Sequence, residues 1–273
     1  MRFAVRHEIA WTWDAPPRSV IKHLRTEPRN HEGQHVIGWR MDVEPGGRTR
    51  MAEDAFGNSF DSLTVEGPLA KLTVRADGEV ETFDTAGIVR HAIERFPPDL
   101  FLRDSALTAI DPGLRGFADA IAARESRTLA RAHALMDALH ERLDHSACHN
   151  DNFVGAAKTL AAGRGHARDL AHVFIACARY LGIPARIAVG HLFAEGAEEC
   201  ACVHGWAEAY IADFGWIGFD PATGRCPEGA HIRVAIGIDA VDALPVRGAQ
   251  HGGSGEKITH RIEVRVAGGR TGG

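Results

Sequence analysis

Apolar and polar residues alternate along the first 85 residues of the chain. RFAVRHEIAWTW keeps a period of two over many positions, and HVIGWRMDVEPGG, SFDSLTVEG and AKLTVRADGEVETF do the same. That period sends successive side chains to opposite faces, so each segment predicts a half-buried β-strand. Glycine-bearing turns are expected at Glu44–Gly47, Phe56–Asn58, Gly67–Pro68 and Asp77–Gly78. Short strands punctuated in this way predict an antiparallel, sandwich-like module.

The period lengthens after about residue 90. RFPPDLFLRDS reads as a proline-containing connector, and GLRGFADAIAARE and SRTLARAHALMDALHERLDH then carry helical spacing. Leu129, Ala132, Leu135, Met136 and Leu139 form one apolar stripe, read as core. FVGAAKTLAAG predicts a shorter helix that stops at Gly163. In GHARDLAHVFIACARYLGIPARIAVGH, residues Ala167, Leu170, Phe174, Cys177 and Leu181 share one helical face, and Gly182 and Pro184 end the run. ARIAVGHLF, CVHGWAEAYI, GWIGFDP, HIRVAIG and KITHRIEVRV read as later strands, while RGAQHGGSGE and AGGRTGG read as a loop and a frayed end. There is no internal repeat. Strands, then helices, then strands predict an α+β fold, divided into a β-rich domain over 1–88 and a second domain over 89–273.

Composition narrows the classes. Of 273 residues, 45% are hydrophobic and 25% charged, enough to bury a sizeable core. A net charge of -5, with no basic stripe, argues against a nucleic-acid partner. The longest apolar candidate, Leu170 to Phe193, is broken by Arg179, Pro184 and Arg186, so no membrane span is expected. The alternating start lacks the apolar run of a signal peptide, and the expected compartment is the cytoplasm. Five irregularly spaced cysteines do not suggest a disulfide framework.

Candidate chemistry gathers around the helix that starts at Ala167. The first N–H groups of a helix lack internal partners and carry partial positive charge. A thiol there would have a lowered pKa, and the same N–H groups can stabilise an oxyanion. Downstream, CVHGWAEAYI carries His204 with Trp206 and Glu208 on the same strand face, and GWIGFDPATG ends a strand at Asp220. A His and an Asp on neighbouring strands can serve as a base and its orienting carboxylate. Glu208 is less suited to that role, since four residues of strand separate it from His204 by roughly 13 Å. Trp206 and Trp216 are read as packing around the site.

These residues together resemble the transglutaminase-like superfamily, whose core is papain-like. Its bacterial members read Gly-x-Cys-(Gln/Arg)-Asp-x-Ala-His, then Leu-Gly-Ile-Pro-Ala-Arg, His-Ala-Trp-x-Glu-x-Tyr and Gly-Trp-x-x-Phe-Asp-Pro. The chain carries Gly165 to His172, Leu181 to Arg186, His204 to Tyr210 and Gly215 to Pro221 in the same order. RHEIAWTWDAP, DAFGNSF and PVRGAQHGGSGE extend the likeness to bacterial proteins of this type with an amino-terminal β region. The resemblance implies a papain-like core over 89–273 and thiol acyl transfer on a peptide or protein amide, by hydrolysis or transfer to an amine. It implies His204 as base, Asp220 as orienting carboxylate, and no cofactor.

One departure changes that expectation. The family's nucleophilic Cys falls on Ala167, which has no nucleophilic group. Losing the nucleophile of a comparable serine-protease triad costs on the order of 10⁶ in turnover, so the chain as written is expected to be inactive. An engineered knock-out and a natural pseudoenzyme that binds a partner in its cleft both fit. Cys202 precedes His204 by two residues on the same face, beside the base rather than opposite it, and is read as a small strand residue. Cys177 is read as core. His172 is read as a hydrogen-bonded structural residue and His166 as an exposed turn histidine. Two clusters, His145/Cys148/His149 and Cys200/Cys202/His204, lack the paired spacing of a zinc site, so no metal is expected.

Overall fold

The computed structural model describes residues 1–145, 153–196, 199–200 and 202–268. The four alternating segments become strands β1 (Arg2–Thr12), β3 (Gln34–Glu44), β5 (Ser59–Glu66) and β6 (Lys71–Thr82), and two strands that the pattern does not mark, β2 (Ser19–Leu24) and β4 (Arg48–Glu53), lie between them. The short β7 (Ile88–Val89) leads into a 3-10 turn at Pro98–Leu102. Helices α1 (Pro112–Ala122) and α2 (Thr128–Arg142) follow, then β8 (Asp144–His145), α3 (Ala156–Ala162), β9 (Arg164–Gly165) and α4 (Ala167–Tyr180). The remaining strands are β10 (Ala185–Leu192), β11 (Glu199–Cys200), β12 (His204–Ile211), β13 (Gly215–Phe219), β14 (His231–Gly237), β15 (Val246–His251) and β16 (Lys257–Val266). The fold is α+β with antiparallel main sheets, as the order of periods predicts. No helix among the described residues is long and apolar enough to cross a membrane.

Two sheets form the amino-terminal sandwich, in the orders β11-β16-β1-β6-β3 and β15-β2-β5-β4. Ile9, Trp11, Leu72 and Val74 from the first meet Val20, Leu24, Leu63 and Val65 from the second. Both sheets also take strands from beyond residue 88. β16 pairs with β1 from Phe3↔Val266 to Thr12↔Lys257, and β15 pairs with β2. β15 lies where the sequence suggests only a loop. Its VRGAQH has no apolar alternation because it is an exposed edge strand held through its backbone.

A second difference is at Asp77–Gly78, where a turn is expected and β6 runs straight through. Gly78 pairs with Trp39 on β3, and a Cβ at residue 78 would stand 2.1 Å from Trp39 Cε3. The indole covers the glycine, so Gly78 here marks a close approach inside a strand rather than a break.

The second unit has the sheet β14-β10-β12-β13-β7 with α4 packed across it. Residues 167–179 of α4 are all buried, so the helix is enclosed on every side. Gly182, at φ 76°, closes it in a conformation that side-chain-bearing residues avoid. Buried Arg179 ties the carboxyl end in place, donating to the carbonyls of Phe101, Ala185 and Ile238 and to the Thr108 hydroxyl. Phe3, Val5, Val80, Ile262 and Val264 of the first sandwich sheet share one core with α4 and its sheet. The sandwich and the helical unit are thus joined through buried side chains.

Candidate active site

The amino end of α4 is fixed by its own sequence. His166 is the N-cap, and Asp169 Oδ2 accepts from the His166 N–H at 3.2 Å. Asp169 Oδ1 accepts from the Val154 N–H at 3.2 Å, which ties the preceding loop to the helix. Ala167, 6% exposed, is the first helical residue. The strand β12 runs against this turn. A Cβ at Gly205 would lie 2.5 Å from Arg168 Cγ and 3.4 Å from Arg168 Cα. His204, the first residue of β12, therefore stands beside the helix tip.

Asp220 follows the last residue of β13 and is fully buried. Its backbone is clamped by the bonds Asp220 N to Arg225 O at 3.0 Å and Gly224 N to Asp220 O at 2.8 Å. The carboxylate Oδ1 accepts from the Ala222 N–H at 3.0 Å. Oδ2 lies 2.7 Å from His204 Nε2. Sequence reasoning brings His204 and Asp220 together, and so does the structure. It misses a third member. His231, at the start of β14, places Nε2 3.1 Å from the same Asp220 oxygen and is almost fully buried. A polar residue opening an apolar strand segment was the available signal.

Burial alone would raise the Asp220 pKa. The neighbouring His204 and His231 imidazoles outweigh it and hold the carboxyl well below the usual range. Trp206 is buried against both rings, 6.2 Å from His204 in a stacked arrangement and 5.3 Å from His231 edge-on. His145 of β8 pairs in register with Gly165, just before the helix tip. Partial loss of water, then the proximity of His204, lowers its pKa. The indole of Trp216 belongs to another cluster, where the Arg186 guanidinium lies over it at 3.8 Å.

Glu208 is buried, and its carboxylate is taken by Arg186 Nε at 2.7 Å and Arg233 Nε at 2.6 Å. Arg186 also donates to both oxygens of Glu94. Glu208 is thus committed to a buried ion network. His172 is buried too. Its Nε2 accepts from the Ala240 N–H at 3.1 Å, and burial lowers its pKa to about 4. Cys177 is buried, with its thiol pushed up to about 12 by loss of water. Cys202 lines a small cavity with Val203 and Arg168. A larger cavity of about 540 Å³ lies on the first sandwich sheet and touches none of the site residues.

Of the clusters weighed for metal binding, Cys148 and His149 lie outside the described residues. Among the described residues, His204, Asp220 and His231 form a three-residue set whose ligand atoms lie within 4.8 Å of one another. Their direct bonds through one carboxylate oxygen satisfy the facing atoms without an ion.

Comparison with known proteins gives consistent findings. Residues 115–221 match the family model described as transglutaminase-like superfamily, and residues 3–81 match the bacterial transglutaminase-like N-terminal region. An uncharacterized protein of Mycobacterium leprae is 24% identical over 278 residues, covering 96% of this chain and 98% of the relative. An uncharacterized protein of Mycobacterium tuberculosis is 23% identical over 301 residues, covering 97% of this chain and 91% of the relative. The fold matches a Cytophaga hutchinsonii structure described as a "Putative Cysteine Protease", with a TM-score of 0.78 and 20% identity, over 100% of this chain and 92% of the other.

Proposed function

Because the chain belongs to the transglutaminase-like superfamily, we propose that its site is the base-and-carboxylate half of a thiol acyl-transfer centre. The observation that carries this reading is the 2.7 Å contact from His204 Nε2 to buried Asp220, set beside the tip of α4. Asp220 fixes the imidazole by that nitrogen. Nδ1 is then the ring atom left to exchange a proton with a group at position 167. The helix-tip N–H groups supply the electropositive surface on which an oxyanion forms.

With sulfur at residue 167, this reading gives the following steps. His204 takes the thiol proton, and the thiolate attacks an amide carbonyl. The tetrahedral oxyanion collapses to a thioester as His204 returns the proton to the departing amine. Water or a second amine then releases the acyl group. The chain as written has a methyl group in that place and stops at the first encounter: it holds a peptide or protein amide in the cleft without cleaving it.

The test is to install the sulfur. Ala167→Cys should create a thiol alkylated by iodoacetamide much faster than an ordinary cysteine at neutral pH, together with activity toward amides or peptides. A residue-167 thiol with ordinary reactivity, in a variant inert toward a broad panel of amides, would overturn the reading. The pure binding role is the second reading, and the missing nucleophile is the observation that favours it. It is retained if Ala167→Cys stays inert while the chain as written still binds a peptide.

A further inference from the structure

Among the described residues, the buried arginines have hydrogen-bond acceptors with one exception. Arg25 bonds Asp54 at 2.9 Å, Arg179 is held by carbonyls and a hydroxyl, and Arg186 bonds Glu94 and Glu208. Arg168 is 6% exposed and has no carboxylate or carbonyl partner among the described residues. Its guanidinium lies over the Phe153 ring at 5.0 Å. Its nitrogens are not among the sealed polar atoms of the fold, so the guanidinium keeps contact with solvent and can donate into the cavity it lines.

The side chain is delivered to its position by the main chain of β12. Its stem crosses Gly205, where a Cβ would meet Arg168 Cγ at 2.5 Å. It then lines a cavity of about 230 Å³ with Phe153, Cys202, Val203, Lys22 and Arg247. The Lys22 ammonium in that wall is already bonded to Glu256 at 2.6 Å. Exposed Arg247 adds positive charge at the rim. The surplus is cationic, and the volume suits a side chain or a chain end rather than a larger ligand.

We propose that this cavity is a subsite for a carboxylate of the bound peptide, held by the Arg168 guanidinium. The planar fork of an arginine matches a carboxylate through two parallel hydrogen bonds. Arg168 directly follows Ala167, and Val203 directly precedes His204, so two of the cavity's walls are one residue along the chain from the proposed reacting position, which does not itself line the cavity. A ligand anchored there by an acidic side chain or a free carboxyl end has its adjacent amides brought to the α4 tip. This subsite rests on the reading of the cleft as a peptide-amide site and names the chemistry of what enters it.

The experiment is calorimetric titration of the chain as written with three acetylated tripeptides. One has a central glutamate between alanines and an amidated end. One is trialanine with a free carboxyl end. The third is neutral, with a central glutamine and an amidated end. At least one carboxylate peptide should bind on the order of 10- to 100-fold tighter than the neutral one, as expected for a charged hydrogen-bond pair out of water. Which one does so distinguishes a side-chain anchor from a chain-end anchor. Arg168→Gln should abolish the advantage, and Arg168→Lys should keep part of it. Gly205→Ala keeps the charge but displaces its stem and should weaken the advantage, with thermal melting used to verify that each variant folds. Equal binding of all three peptides, no binding of any, or an advantage that survives Arg168→Gln would overturn the subsite. Alkylation of the Ala167→Cys thiol does not depend on this cavity. A fast-reacting thiol without carboxylate preference retires the subsite alone, and carboxylate preference with an ordinary thiol retires acyl transfer alone.

Discussion

Replacing Glu208 by Gln keeps the shape of the side chain and removes its charge from between two guanidiniums. In the native protein the Glu208 carboxylate is fully buried and bonded by both Arg186 and Arg233. Burial pushes its pKa up, but Arg233 and Arg186 prevail and bring it from 4.5 to about 2. That difference corresponds to roughly 3 kcal/mol of stability. The folded-state pKa lies below the unfolded one, so the contribution is complete above pH 4.5 and disappears as the pH falls toward about 2. At neutral pH, Glu208→Gln leaves Arg233 without its carboxylate and Arg186 with Glu94 alone. The expected loss is about 3–5 kcal/mol, typical of breaking one partner out of a buried pair. Urea unfolding followed by circular dichroism, repeated between about pH 6 and about pH 2.5, gives the gap between wild type and variant. Taking the difference removes other titrating groups, Asp220 among them. The gap should narrow by roughly 3 kcal/mol across that range. A gap that stays constant with pH, or one below about 1 kcal/mol at neutral pH, would refute the reasoning.

Gly78→Ala places a methyl 2.1 Å from Trp39 Cε3 and 2.6 Å from the Gly38 carbonyl oxygen. It should lower stability by about 1–3 kcal/mol, measured from the urea midpoint, and an unchanged midpoint would contradict the close approach. Cys177, buried with a thiol pKa of about 12, should remain unmodified when the native protein is treated with iodoacetamide and mapped by mass spectrometry. Labelling of Cys177 before denaturation would show that α4 is less enclosed than described.

The parts of the fold that could be read from the chain are those whose signal is local. The α4 stretch declares its start, its apolar face and its stop at Gly182 within a few turns. His204 and Asp220 sit at the same open end of an antiparallel strand pair, β12 and β13, whose register follows from their tight connection. What escaped depends on distant partners. Strands β2 and β4 are only six residues each, β4 mostly polar, and they are held by pairing to β5 between them. Gly78 resembles a turn residue until Trp39 is set opposite it. His231 reaches Asp220 only because β14 pairs with β10, which no neighbouring residue announces. That Arg168 meets the Phe153 ring, and no carboxylate among the described residues, is a property of its surroundings and has no trace in the letters.

The pairing of β1 with β16 has a consequence for how the molecule is made. When β1, β6 and β3 have left the ribosome, the outer side of β1 presents a bare row of amides and carbonyls, from residue 3 to residue 12. That row waits for Lys257–Val266, so synthesis must run through those residues before the sheet is sealed. Through that interval the nascent protein carries a ready template for pairing with a foreign strand, and its exposure to aggregation is set by translation time.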